Sequence, residues 1–151
     1  MKEWIWLAAR VLLLLRQRGT EVGKLLPVET LLVEKQAGQY RVSAETGSAG
    51  RGDSLEKAVD ALRAEAPGIL FLDTADYVLL TGEAEECMEK LPDYVRPGTR
   101  VYKLEGTVEL SEIGPFLKTH GPDAPLYRLQ KREMQLPKLT AEGEKLHFEG
   151  Q

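Results

Sequence analysis

The chain of 151 residues holds one cysteine, Cys87, and two histidines, His120 and His147. A single cysteine excludes an intramolecular disulfide, and the redox compartment stays undetermined. Isolated histidines, one beside Gly121-Pro122 and one inside an alternating segment, give no spacing for a zinc site or a nucleophile–base pair. No run of lysine or arginine occurs and the net charge is -4. That argues against a nucleic-acid partner, because phosphate neutralisation needs clustered cations. No apolar stretch reaches the roughly 20 residues that span a bilayer as a helix. The longest, Trp4–Leu15, carries Arg10 inside it.

What is present describes one ordinary globular domain. A hydrophobic share of 42% against 29% charged residues supports a core that needs no staples at this length. The central helix is the best-marked element. Asp53 is placed to cap it, with Glu56 three residues on as a capping-box partner. Leu55, Ala58, Val59 and Leu62 recur at helical spacing, and Pro67-Gly68 stops the pattern. Two short apolar runs follow, Ile69–Leu72 and Tyr77–Gly82, read as buried strands around an Asp-containing turn. Thr30–Lys35 and Tyr40–Ala44 read as a hairpin across a four-residue connection. Thr46–Gly52, rich in small residues, reads as a flexible loop.

Further along, the acidic run Glu83–Leu91 has helix propensity, and Arg100–Glu105 alternates like a strand. Glu109–Thr119 has helical spacing interrupted by Gly114-Pro115. Leu126–Leu129 reads as a strand, and Leu139–Phe148 as a hairpin turning at Glu142-Gly143-Glu144. The expected fold is a single α+β domain over residues 29–151, with a mixed or antiparallel sheet covered by two or three helices. Residues 1–28 form a separate apolar segment. Its Glu3, Arg10 and Gln17 fall on one stripe of a helix, which suits a helix packed on protein, a diverged signal or membrane-attachment segment, or an interfacial helix. Membrane association through residues 4–15 and a membrane or spore location follow from the second of these, and a cytoplasmic location from the first.

Gly47–Gly52 before a helix has the position of a phosphate-binding loop. It lacks the P-loop lysine, and Asp53 puts a negative charge where the phosphate would sit. Asp73 and Asp76 flank the turn between the two apolar runs and have the residue types of an acid–base pair or a cation site, as well as those of ordinary turn aspartates. Cys87 sits among glutamates, which raise a thiol pKa and disfavour a nucleophile. Trp4 and Trp6 mark an interface if exposed and a core if buried. No residue set implies a cofactor or a metal.

Gly50-x-Gly52-x-Ser54-Leu55-x-x-Ala58, followed by Tyr77-Val78-Leu79-Leu80-Thr81-Gly82-Glu83-Ala84, resembles the N-terminal domain of the Ger(x)C family, the C-subunit lipoproteins of spore germinant receptors in endospore-forming bacteria. Val33-Glu34-Lys35 with Gly38–Val42, then Val101–Gly106 and Leu146–Gly150, are similar to that domain's strands in the same order. The lipobox cysteine of the family is missing from Leu15–Gly19. The resemblance implies a non-enzymatic interaction or sensing module, associated with sporulation or germination, with a protein partner. Gly50, Arg51, Gly52, Trp4 and Trp6 are its candidate contact residues. The competing expectation is a small cytosolic ligand-binding domain or enzyme using Asp73 and Asp76.

Overall fold

The computed structural model describes residues 24–150. Among these residues nine strands fall into two sheets. β2 (Thr30–Gln36), β3 (Gln39–Ala44), β4 (Ala49–Gly52), β6 (Tyr77–Gly82), β7 (Arg100–Glu105), β8 (Lys138–Glu142) and β9 (Lys145–Phe148) build a seven-stranded mixed sheet in the order β4-β3-β2-β6-β7-β8-β9. β2, β6, β7 and β8 run parallel at its centre, and the antiparallel hairpin partners β3, β4 and β9 close its sides. β1 (Leu25–Pro27) and β5 (Ile69–Phe71) pair in parallel as a separate two-stranded ribbon. The protein is a single α+β domain, as its segment pattern predicts.

Parallel strands buried on both faces read as continuous apolar runs, and β6 does so: Tyr77, Val78, Leu79 and Leu80 are all buried. One face carries Val33, Val42 and Leu80 in register and continues through Gly50, which pairs with Val42. Helix α1 (Leu55–Glu65) lies on it, burying Leu55, Ala58, Val59 and Leu62 as the periodicity requires. On the opposite face stand Leu79, Tyr102, Leu104, Leu139 and Phe148. Helix α2 (Leu110–His120) covers that side with buried Ile113 and Leu117, and its Phe116 stacks on Phe148 at 6.0 Å between ring centroids. Tyr102 completes the cluster, edge-on to Phe148 at 5.0 Å, its hydroxyl donating to Pro122 O at 2.6 Å. Burial pushes the Tyr102 phenol up to about 12.

Several local expectations need correction. Thr46–Gly52 is not a loop throughout: Ala49–Gly52 is edge strand β4. Strand structure therefore runs almost to the helix, and the cap falls on Ser54 rather than Asp53. Ser54 Oγ accepts from Lys57 N at 3.2 Å, while Asp53 pairs with the Lys57 ammonium at 3.0 Å one turn on. The first hairpin turns on two residues, not four: Ala37 and Gly38, at φ 52° and 77°, form the tight left-handed connection that matches strand twist.

Glu83–Leu91 is not an α-helix. Ala84–Glu89 makes a 3₁₀ helix, whose three-residue period puts Ala84 and Cys87 on one buried side, and Leu91–Asp93 makes another around Pro92. Leu126–Gln130 is a five-residue helix, α3, instead of a strand: Leu126 and Leu129 bury at a spacing of three. β5 is not a buried strand, since only Leu70 of its three residues is buried. α2 continues through Pro115 within one helix. Residues 25–28, grouped by sequence with the N-terminal segment, supply β1 and the buried Val28.

Candidate functional site

Gly50 and Gly52 have a packing role. A Cβ added at Gly50 would overlap Leu62 N and Ala58 O, and one at Gly52 would lie 2.7 Å from Lys57 Cβ and 2.8 Å from Ala58 N. The two glycines let α1 lie backbone to backbone on β4. Gly50 is thereby buried and offers no side-chain contact to a partner, whereas Arg51 points away from α1 and is exposed. Arg51 pairs in register with Arg41, which faces Glu34. These three, with Gln36, Gln39 and Tyr40, line a shallow depression of about 300 Å³ on the open face of the hairpin. The Gly50–Gly52 segment is thus an edge strand, packed against α1, that presents one cation. Trp4 and Trp6 lie outside the described residues.

The two turn aspartates part company. Asp73 lies in a 3₁₀ turn, Leu72–Thr74, anchored by Thr74, whose hydroxyl donates to Phe71 O or Val28 O and accepts from Val28 N at 2.9 Å. Asp76 instead enters an open cleft of about 480 Å³ at the N-terminal ends of β2, β6 and β7, together with Glu29, Tyr77, Arg96, Arg100 and Lys118. Asp76 is ion-paired with Arg96, and Arg100 Nε lies 3.5 Å from Asp123. The Tyr77 phenol is raised above its ordinary range by burial, against the pull of Arg100.

This cleft gathers four further charged side chains, Glu29, Arg96, Arg100 and Lys118, around the sequence-predicted Asp76. Its chemistry is that of ion-pair exchange: a charged ligand or side chain could replace one partner of Asp76–Arg96 or Arg100–Asp123. Arg96 and Arg100 lie on either side of Pro97–Thr99, and Lys118 comes from α2. Nothing in the linear order brings these three cations to Asp76, so the sequence missed them.

Cys87 is buried, and burial pushes its thiol up even though Lys35 and Lys90 oppose the shift. Its expected inertness as a nucleophile has desolvation as the leading cause rather than neighbouring glutamates. Lys35 bonds the adjacent Glu86, which also accepts from Tyr40 Oη at 3.1 Å. His120 packs on Phe116 at 4.9 Å, and His147 is exposed in β9. Among the described residues no group of three or more His, Cys, Asp or Glu could hold a metal ion, and no helix is long and apolar enough to cross a membrane. Comparison of the chain with protein-family models, with curated proteins and with solved structures finds no match in any of the three.

Proposed function

We propose that this chain is a non-enzymatic interaction or sensing module, similar to the N-terminal domain of spore germinant receptor C subunits and acting in sporulation or germination through a protein partner. The observation that carries the reading is the placement of the resembling segments. Val33–Lys35 with Gly38–Val42 falls in the first hairpin, Gly50–Ala58 at the strand-to-helix junction, and Tyr77–Ala84 on the central strand and its exit. Val101–Gly106 spans most of β7 and the residue after it, and Leu146–Gly150 most of β9 and the two residues beyond. All five fall on one sheet and the helix packed against it, so their shared order has a physical basis in a single core. The glycines give particular support: the Gly-x-Gly spacing is what α1 needs to approach β4.

In this reading the partner meets the exposed Arg51 edge of the sheet. A short strand at the edge of the described sheet, carrying a cation, suits an extended segment with an acidic side chain. Fractionation of growing cells and spores of the native bacterium, with mass spectrometry of the protein's N-terminus, tests the proposal. Recovery with the spore or its membranes is expected. Recovery confined to the cytosol of growing cells would remove the germination role.

A further inference from the structure

The β1–β5 ribbon is a parallel pair standing apart from the main sheet. Its register sets Leu25 opposite Ile69 and Pro27 opposite Phe71 on one face, with Leu26 opposite Leu70 on the other. Leu70 is buried and Leu26 packs against the core. On the first face Leu25 is 55% exposed, Ile69 51% and Phe71 40%, three of the four exposed large apolar side chains among the described residues. Parallel strands are normally covered on both faces, and a two-stranded sheet is marginal alone.

We propose that the apolar Trp4–Leu15 run of the same chain covers this face. Ile69 N donates to Lys24 O at 3.0 Å, so the chain is tied to the ribbon at the residue where the description begins. Only Arg16–Gly23 separates that anchor from Leu15. Nine Cα steps reach about 30 Å when extended, against about 10 Å for a three-residue strand. The run has the matching chemistry, with Arg10 its only charged residue. Tethering by so short a connector gives this segment an effective concentration in the millimolar range at the ribbon, ahead of a second copy in dilute solution.

Trp4 and Trp6 are the only tryptophans in the chain, so indole fluorescence of the full-length protein reports on this segment alone. The expected emission is blue-shifted, shielded from iodide and unchanged on dilution. Combining Ile69→Ser with Phe71→Ser shifts it to that of a water-exposed indole and removes the shielding, with far-UV circular dichroism unaltered. Leu25→Ser gives the same readout should the double variant lose its fold. Water-like emission in the unmodified protein overturns the proposal, as does blue emission indifferent to these substitutions. Shielding that disappears on dilution assigns the face to a second copy instead. Shielding that appears only with phosphatidylglycerol-containing vesicles assigns the run to a bilayer, and either result refutes docking within the chain.

Discussion

Replacing Gly50 by alanine probes the contact on which the packing of α1 rests. No positive φ is required there, so alanine meets no backbone strain. The obstacle is space: the new methyl would overlap Leu62 N and Ala58 O and lie 2.8 Å from Ala61 C, all backbone atoms that cannot rotate aside. α1 must lift from β4, which disturbs Ala58 and Leu62, both fully buried. Overpacking of this kind costs about 1–3 kcal/mol, and rigid obstacles favour the upper half. Losing glycine's unfolded-state freedom returns about 0.4–1 kcal/mol. The net expectation is a destabilisation of about 2 kcal/mol, or a urea midpoint lower by about 1 M at a slope near 2 kcal/mol/M. Gly98→Ala is the control, because its Cβ would meet nothing within 4 Å. It should be neutral or stabilising by up to about 1 kcal/mol. Gly50→Ala unfolding at the same midpoint as the parent, with the same slope, would refute the close helix–strand contact.

Ala37→Gly relieves a left-handed alanine in the first hairpin and should raise stability by about 1 kcal/mol in chemical denaturation. Ser54→Ala removes the cap on Lys57 N and should lower it by about 1 kcal/mol, whereas Asp53→Ala should cost about 0.5 kcal/mol, an exposed ion pair only. Tyr102 has a folded phenol pKa of about 12 against an ordinary 10, so the folded state holds its proton longer. Its contribution is complete below pH 10 and is lost as pH rises from about 10 through 12, at up to about 1.4 kcal/mol per pH unit. Denaturant titrations across that window should show Tyr102→Phe with a shallower alkaline loss than the parent. Equal slopes would contradict a buried, protonated phenol.

Legibility in the sequence followed the reach of each signal. α1 could be read because its apolar positions, its glycine entry and its Pro67-Gly68 exit are all local, and β6 and β7 because they are short runs with clear stops. Its cap was misplaced by one residue because Asp and Ser are both good caps, and only the pairing of β4 with β3 decides where the helix begins. β4 itself was hidden: Ala-Gly-Arg-Gly has almost no strand propensity, and its conformation comes from long-range pairing and from α1 above it. Ala84–Glu89 and Leu126–Gln130 are too short for period to separate 3₁₀ helix, α-helix and strand. The charged cleft was legible at Asp76 alone, since Glu29, the Arg96–Arg100 segment and Lys118 arrive from three separate stretches of chain. Arg51, named from sequence as a contact residue in a loop, is exposed and lies on a strand instead.

The germination reading is tested most directly by deleting the gene from its native bacterium and following spore germination, with the intact gene and an Arg51→Glu version returned separately. A role as a germinant-receptor-like module requires that the deletion slow or abolish the response to germinants. The intact gene should restore it, and Arg51→Glu should restore it poorly if the sheet edge meets an acidic partner. Spores that form and germinate at the parental rate without the gene would contradict the proposed role.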